Sequence, residues 1–393
     1  MQPPSLSPKD FFVNEDISHA ESLPPEAFLS RDVLALEQET VFQNAWLMIP
    51  EPNREDYIRD PRSTAQRVSE PGAHTPFDLN GSPLFLKRDT QGTLRLFPNV
   101  CTHAWYPLVS ECGKGRDLVC KQHGRRFNDQ GRFLSQTAFE GLPNFPRPCD
   151  HLESKSIHSF GPWLFGTLGK PEYDFETVFE PIRESLSKMD IESWPRAPQE
   201  MEERIVPGNW KQHAWNFMDK FHIPLIHHGP KGLIDALHYR DYRTEIYDGA
   251  ALQWAYAKNP DHGFNPEHLP ARFRDPAHPE RRVFSLWWLI FPNLTLNVYP
   301  WGISINRYEP VPGSPDRTQF FWRHYVADSE KYKKRETNWL NQRVDEEDVV
   351  AMELVAKGIR SGMAPRGRFA PREERGPHWF HREVYKHLFP DHP

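Results

Sequence analysis

The spacing of apolar residues changes along the chain, and these changes predict a mixture of helices and strands. In Glu21–Trp46 the apolar positions Leu34, Leu36 and Val41–Phe42 predict an opening helix. From there to about residue 169, apolar residues occur in short alternating segments separated by turn residues, such as PLFLKRD, TLRLFPNV and GPWLFGTLG. Short alternating segments of this kind are typical of a small all-β domain.

The second half of the chain has a different pattern. A helical region is predicted around Asn209–His228, and four neighbouring strand candidates follow later: VFSLWWLIFP, LTLNVYPWG, ISINRYEPV and TQFFWRHYVA. Pro and Gly turns join these candidates, which favours one antiparallel sheet. A charged helix, DEEDVVAMELVAKGIRSG, is predicted near the end. The expected fold class is therefore α+β.

Composition narrows the class of protein without identifying it. The 393 residues carry a formal net charge of −6, so nothing in the charge favours nucleic acid or an anionic membrane as a partner. The N-terminus, MQPPSLSPKDFF, lacks a basic stretch followed by an apolar one, and the densest apolar run, FSLWWLIF, is too short to span a bilayer. Four cysteines in a chain of this length do not form a disulfide framework. We expect a soluble, cytoplasmic protein.

Two of the four cysteines lie beside histidines in the predicted all-β domain. Cys101-x-His103 and Cys120-x-x-His123 each supply one thiol and one imidazole, and together they form a metal-ligand set. Zinc fingers usually pair Cys with Cys and His with His along the sequence. One Cys and one His in each loop instead suits a Rieske [2Fe–2S] cluster, in which two thiolates bind one iron and two imidazoles bind the other. A structural zinc site is the alternative.

A second candidate site lies in the helical region of the second half. Asp219, His222 and His227 form the pattern D-x-x-H-x-x-x-x-H, and two imidazoles with one carboxylate are the ligands of a mononuclear Fe(II) that activates O₂. In a straight helix His227 would lie roughly 140° around the axis from His222. Pro224 is expected to kink or break the helix between the two histidines, so that they share a site. His228 competes with His227 for the second position.

The carboxylate ligand has to come from another segment, and the acids at positions 345–348 of the charged helix are the candidates. Acids near the start of a helix also stabilise its dipole, so their presence alone does not make a site. Helical phase separates them. Three apolar residues fall within about 40° of Asp348 on a helical wheel: Met352, Val355 and Ile359. Asp348 therefore heads the predicted buried face and is the preferred ligand, with Asp345 as the alternative.

These motifs resemble those of the large (alpha) subunit of Rieske non-heme iron oxygenases, in the ring-hydroxylating and choline-monooxygenase-like branch. The family's cluster loops usually have the forms C-x-H-R-G-x-P-L and C-P-Y-H-G-W-x-F, and the stretches here are CTHAWYPL and CKQHGRRF. Gln122 and Arg125 replace the usual Tyr and Trp, which leaves ligation intact and bears on the potential of the cluster and on reductase docking. Glu347 and Asp348 match the family's E-D pair. The family's N-x-x-D-x-x-H-x-x-x-x-H motif is matched by Asn216, Asp219, His222 and His227.

The resemblance implies two domains, a set of cofactors and a reaction. Residues 47–165 would form an all-β Rieske domain, and residues 1–46 and 166–393 a catalytic domain with helices on an antiparallel, helix-grip sheet. Electrons from NAD(P)H would arrive through a separate ferredoxin or flavin reductase and, with O₂, would hydroxylate a small organic substrate. The cluster would be held by Cys101, His103, Cys120 and His123, and the Fe(II) by His222, His227 and Asp348.

Substrate and assembly are narrower expectations. The segment Trp287–Trp301 is rich in aromatic residues, which suit either a flat apolar compound or a methylammonium group. An aromatic or other small organic substrate is the first expectation, and oxidative N-demethylation or choline-type oxidation is the alternative. The resemblance also implies a homotrimer in which Asp219, a predicted catalytic residue together with Asn216, links His123 of one chain to His222 of the next. A non-catalytic Rieske electron carrier and a zinc-stabilised binding protein are the alternatives of other classes.

Overall fold

The computed structural model describes residues 7–195, 198–228, 232–338 and 340–392, and for residues 335–338 and 340–343 the backbone alone. These residues form two compact units. The small unit is Trp46–Pro171, and the large unit comprises the described residues before and after it. Within this part of the chain, no helix combines the length and apolar character that are needed to cross a bilayer.

The small unit consists mainly of short strands. They are β1 (Leu47–Met48), β2 (Ala73–Leu79), β3 (Ser82–Arg88), β4 (Leu94–Pro98), β5 (Gly113–Lys114), β6 (Leu118–Val119), β7 (Arg126–Phe127), β8 (Phe133–Ser135), β9 (Ile157–Phe160) and β10 (Trp163–Gly166). They pair antiparallel in three sheets with the orders β1-β10-β9, β4-β3-β2-β5 and β6-β7-β8. The predicted all-β segment is therefore found here.

The hairpin between β2 and β3 shows how local sequence sets this fold. Asn80 and Gly81 form its two-residue turn with φ angles of 52° and 82°, and Leu79 faces Ser82 across it. Asn-Gly favours such turns because both residues tolerate a positive φ. One buried apolar cluster of the unit includes both candidate thiols; it consists of Phe85, Phe97, Cys101, Leu108, Val109, Leu118, Cys120, Phe127 and Leu152.

The large unit is built on one seven-stranded antiparallel sheet. Its strands are β11 (Glu200–Pro207), β12 (Arg243–Tyr247), β13 (Ala250–Tyr256), β14 (Val283–Ile290), β15 (Leu294–Tyr299), β16 (Gly302–Val311) and β17 (Ser314–Val326). Their order in the sheet is β11-β17-β16-β15-β14-β13-β12. The four predicted strand candidates are the neighbours β14 to β17. Strand β14 is buried along its whole length, as its continuous apolar run requires.

The helices of the large unit are α1 (Pro8–Phe11), α2 (Glu26–Leu29), α3 (Arg31–Glu39), α6 (Phe175–Ser185), α7 (Trp210–Met218), α8 (Ile223–Ile226), α9 (Leu233–Ala236), α10 (Ser329–Asn338), α11 (Leu340–Arg360) and α12 (Arg375–Leu388). The small unit contains α4 (Arg54–Arg59) and α5 (Thr64–Arg67). Helix α7 contacts α11 and α12 on one hand and β14, β16 and β17 on the other. The α+β prediction, with helices on an antiparallel sheet, is confirmed.

The predicted opening helix over Glu21–Trp46 is wrong in its extent. The segment contains two short helices, α2 and α3, because Ser30 adopts an extended conformation between them. The Ser30 hydroxyl accepts hydrogen bonds from the N–H groups of Asp32 and Val33 at 3.2 and 3.3 Å. A serine cap of this kind satisfies the free N–H groups of a first turn, so it starts a new helix.

Candidate metal centres

Two loops of the small unit share one backbone arrangement. In each, the N–H of the Cys donates to the carbonyl five residues later, at 2.9 Å for Cys101 and 2.8 Å for Cys120. The N–H four residues after the Cys donates back to its carbonyl, at 3.0 and 2.9 Å. This donating residue has a positive φ in both loops, 61° at Trp105 and 69° at Gly124. The two cysteines are therefore presented by equivalent turns, although one loop has Trp where the other has Gly.

The candidate cluster ligands come together through these loops. The thiols of Cys101 and Cys120 are buried side by side, and the rings of His103 and His123 meet edge to face with centroids 4.8 Å apart. Burial and then the neighbouring Cys120 thiol raise the pKa of the Cys101 thiol, so a bound iron has to displace its proton. His123 is exposed. Two inner thiols and two outer imidazoles fit the unequal ends of a Rieske cluster.

The second site begins where α7 ends. Asp219 follows the helix in an extended conformation, with φ −91° and ψ 103°, and His222 then caps the one-turn helix α8. Pro224 lies in the first turn of α8, where a missing N–H costs nothing. The prediction that Pro224 breaks the helix between the histidines is therefore wrong. The break lies before His222, and the turn between His222 and His227 is intact, with each histidine at one of its ends.

Three candidate ligand atoms converge in this region. His222 Nε2 and His227 Nε2 lie 3.1 Å apart, and Asp348 Oδ1 lies 3.5 and 3.2 Å from them respectively. A metal that binds ligands at about 2.1 Å and roughly right angles separates neighbouring ligand atoms by about 3 Å. Asp348 Oδ1 is buried and, within the described part of the chain, no well-aligned hydrogen bond reaches it. These residues fit a mononuclear metal. His228 is exposed and bonds the Leu225 carbonyl instead.

Neighbouring side chains orient the three ligands. Glu347 accepts a hydrogen bond from His227 Nδ1 at 2.8 Å, and Asp219 accepts one from His222 Nδ1 at 3.2 Å. The Asn216 amide donates to Asp348. Burial acts to raise the pKa of Asp348, but the His227 and His222 rings and this amide outweigh it and hold the pKa below its ordinary value. The charge state needed for metal ligation is thus favoured.

Sequence reasoning missed the role of Glu347. It treated this residue as one of four acids and as half of the family's E-D pair, without a contact of its own. The structure places its carboxylate on the far ring nitrogen of His227, where it sets the tautomer that leaves Nε2 free to ligate. The only signal in the sequence was its position beside Asp348.

The three ligand atoms open onto a pocket inside the large unit. Asp345 also lines this pocket. Burial and then the charge of Asp348 raise the pKa of Asp345 to about 7. The alternative carboxylate ligand thus shares the pocket with the three ligand residues but is not part of their converging group. The aromatic lining residues are Phe217, Tyr242, Phe284, Trp287, Tyr299, Tyr308, Phe320 and Trp322.

Comparison with known proteins identifies the family. Residues 183–388 match the ring hydroxylating alpha subunit (catalytic domain) family, and residues 62–146 match the Rieske [2Fe-2S] domain. The first match alone covers more than half of the chain. The chain therefore belongs to the ring-hydroxylating alpha-subunit family.

Three known proteins are similar over most of the chain. The chloroplastic choline monooxygenase of Arabidopsis thaliana is 26% identical over 317 residues, which are 77% of this chain and 70% of the relative. The carnitine monooxygenase oxygenase subunit of Acinetobacter baumannii is 22% identical over 377 residues, 94% of this chain and 93% of the relative. The solved structure of a quaternary ammonium Rieske monooxygenase is 17% identical, with a TM-score of 0.71 over 98% of this chain and 99% of that one. This structure supports the fold.

The protein is the oxygenase component of a Rieske non-heme iron oxygenase, an oxidoreductase. It uses a [2Fe–2S] cluster, Fe(II) and O₂, acts on a small molecule and receives electrons from a partner reductase. The predictions of family, enzyme class and cofactors are confirmed. The alternatives of a non-catalytic electron carrier and of a zinc-stabilised binding protein are wrong.

Proposed function

We propose that His222, His227 and Asp348 hold the Fe(II), and that the four Cys and His side chains of the two matched loops hold the cluster. The observation that carries the iron assignment is the buried Asp348 Oδ1, which lies 3.2 and 3.5 Å from two imidazole nitrogens without an aligned donor. When bound, the cluster supplies electrons and the iron activates O₂ beside the pocket.

The side chains around the iron ligands have defined tasks in this proposal. Glu347 accepts a hydrogen bond from the Nδ1–H of His227 and Asp219 one from the Nδ1–H of His222, so that both Nε2 atoms face the same point. The His227 and His222 rings, and after them the Asn216 amide, lower the pKa of Asp348 and so favour its ionised form. Replacing Asp348 with Ala should abolish the bound mononuclear iron and turnover while the cluster spectrum is retained. If Asp345→Ala has this phenotype and Asp348→Ala keeps its iron, the ligand assignment is wrong.

We further propose that the substrate carries a methylated, positively charged nitrogen, as in choline or carnitine. The relatives that act on such compounds are similar over most of the chain. The pocket supplies aromatic faces, which attract a cation, together with the Asp345 carboxyl, whose ionised form a bound cation would favour. The reaction would be hydroxylation of the substrate, or oxidative N-demethylation if a methyl group is the point of attack.

A matched pair of ligands tests the charge of the substrate. One is a trimethylammonium alcohol, and the other is its neutral isostere with a tert-butyl group in place of the ammonium. Calorimetry with the holoenzyme should show the cation binding about tenfold more tightly, which is about 1.4 kcal/mol. Asp345→Asn should reduce this preference, and formaldehyde release would identify N-demethylation. Equal binding of the two ligands would exclude a cationic substrate.

Hydroxylation of a flat aromatic compound is the second candidate. It is favoured by Tyr242 and Trp287, whose rings stack in the pocket with centroids 5.6 Å apart and an interplanar angle of 8°. Such flat walls match a planar substrate. Reductase-coupled NADH oxidation with a bicyclic aromatic hydrocarbon, analysed for a diol or phenol product, distinguishes this candidate from the first.

We also propose a head-to-tail homotrimer in which Asp219 links the His123 of one chain to the His222 of the next. Asp219 already accepts from His222, and His123 is exposed, so both groups have the chemistry for this link. A ring is the closed form of a head-to-tail contact. The test is reassembly of mixed trimers from Cys101→Ser and His222→Ala chains, each inactive alone. Partial recovery of activity is expected, and full activity in a proven monomer would refute the proposal.

A further inference from the structure

The sheet side of the pocket carries a buried carboxamide on β16. Side chains alternate between the two faces of a strand, so Ser304, Asn306 and Tyr308 share one face. All three line the pocket, and Asn306 is only 5% exposed. In the sheet, Asn306 is paired with Trp322 of β17 on one side and with Thr295 of β15 on the other. The amide of Asn306 therefore lies among the aromatic side chains that line the pocket.

One end of the Asn306 amide is used within the protein. Burial raises the pKa of Tyr308, and the negative charge of Asp345 acts in the same direction, whereas the hydrogen bond with Asn306 acts to lower this pKa. A hydrogen bond that favours the phenolate is one in which the amide NH₂ donates to the phenol oxygen. The NH₂ group therefore faces Tyr308, and the carbonyl oxygen Oδ1 points away from it.

The other end of the amide has no use inside the protein. Asn306 Oδ1 is buried, and none of the residues that the structure describes donates a well-aligned hydrogen bond to it. A buried carbonyl oxygen without a donor is costly, and native proteins contain few of them. Because this oxygen only accepts hydrogen bonds, the group that suits it is a donor. An uncharged donor in the pocket would be the hydroxyl of a substrate.

Arg204 offers the alternative of an anionic group on the substrate. It lines the same pocket, and its Nε is also buried without an aligned partner among the described residues. Its side chain is 35% exposed, however, and Nη1 binds the Glu202 carboxylate at 3.1 Å. Solvent and this carboxylate therefore already stabilise the charge of Arg204. The contrast with the fully buried Asn306 oxygen favours a donor on the substrate over an anion.

We propose that Asn306 is a specificity-determining residue that accepts a hydrogen bond from a hydroxyl group of the substrate. The proposed iron ligands enter the pocket from the ends of α8 and from α11, and Asn306 enters it from the sheet, so a small substrate can contact both. Such a pocket discriminates against an analogue without the hydroxyl, because the buried acceptor then stays unpaired. The inference rests on the proposed function of this pocket and adds a second recognised group to the substrate.

Four ligands separate the hydroxyl from the charge. They are the trimethylammonium alcohol and its neutral tert-butyl isostere, each together with a fluoro analogue in which fluorine replaces the hydroxyl. Fluorine is similar in size to a hydroxyl group but donates no hydrogen bond. Calorimetry with the holoenzyme should show each alcohol binding about tenfold more tightly than its fluoro analogue. Comparison of the charged with the neutral ligands tests the cationic substrate separately, so either proposal can fail without the other.

Two variants assign the preference to Asn306. Asn306→Leu keeps a side chain of similar size but removes the acceptor, so both alcohols should lose their advantage over the fluoro analogues. Asn293→Leu is the matched control: this buried amide bonds the Tyr308 carbonyl at 2.9 Å from the turn before β15, outside the pocket lining that the described residues form. It should destabilise the protein and leave the preference unchanged.

Three results would overturn the proposal. They are equal binding of alcohol and fluoro analogue by the wild-type holoenzyme, binding of none of the four ligands, and an unchanged preference in Asn306→Leu. If Asn306→Leu does not fold, the smaller Asn306→Ala provides the same comparison. A purely structural role of Asn306 predicts lower stability, as in Asn293→Leu, with the preference for the alcohols retained.

Discussion

A buried ion pair connects the N-terminal segment to the helix that leads into the proposed iron site. Glu37 in α3 and Lys211 in α7 are both 0% exposed, and Lys211 Nζ lies 2.5 Å from Glu37 Oε1. The second carboxylate oxygen accepts the Trp210 indole N–H at 2.8 Å. Helix α7 carries Asn216 and ends at Met218, directly before the first ligand segment. Loss of this ion pair should therefore lower the amount of iron bound at the proposed site.

The size of the effect follows from burial. In Glu37→Gln the amide oxygen still accepts the Trp210 N–H, but the Lys211 ammonium loses its counter-charge. Breaking a buried pair in this way costs about 3–5 kcal/mol. Lys211→Met leaves the Glu37 carboxylate buried without a counter-charge, which should destabilise the protein by a similar amount. The double replacement removes both charges, so we expect it to recover about 2 kcal/mol or more of the summed losses.

The direction in which this ion pair makes stability depend on pH follows from the pKa of Lys211. Burial lowers the pKa of Lys211 from its ordinary value, against the pull of Glu37. Between this lowered pKa and the higher value of the unfolded chain, the unfolded state binds more protons, so stability rises with pH. In Glu37→Gln the opposing pull is gone and the pKa of Lys211 falls further. The stability deficit of this variant should therefore shrink as the pH rises towards 10.

Hydrogen exchange of the α7 amides is the appropriate assay, because a two-unit protein has no single unfolding free energy. Bound iron per chain provides the functional readout. Glu176→Gln is the control: Glu176 pairs with Arg183 at 2.7 Å on the surface, and its loss should cost less than about 1 kcal/mol. Strictly additive losses in the two single variants and the double variant would refute the reasoning.

Three further predictions concern the two centres. Cys101→Ser should lose visible absorption and acid-labile sulfide but keep the mononuclear iron, and retained sulfide would contradict the cluster assignment. Trp105→Gly should keep full cluster content, because Gly124 holds the same left-handed backbone in the second loop; loss of the cluster would show that the loops are not equivalent. Asp219→Asn should keep both metal centres yet transfer electrons from cluster to iron far more slowly in single-turnover experiments. Transfer at the wild-type rate would show that Asp219 does not link the two centres.

Features that depend on neighbours in sequence were predictable. The Cys-x-His and Cys-x-x-His loops are closed by their own backbone hydrogen bonds, so their spacing already specifies the turn. The four strand candidates of the second half pair in chain order, because short turns join them. Helix ends were less predictable: Ser30 caps a new helix inside an apolar pattern that continues past it, and Pro224 begins a turn rather than breaking one.

Helical periodicity shows which residues share a face, but it does not show what that face meets. The stripe predicted below Asp348 illustrates this limit: Met352 is buried, whereas Val355 is exposed. Asp345 and Asp348 lie one turn apart and both line the pocket, yet only Asp348 is grouped with the two imidazoles. Glu347, to which the helical phase gave no role, reaches His227 across 120 positions of sequence. The three acids of one helical turn therefore have three different environments, each set by residues on distant segments. The packing of α11 against α7 and α8 determines which environment each acid has.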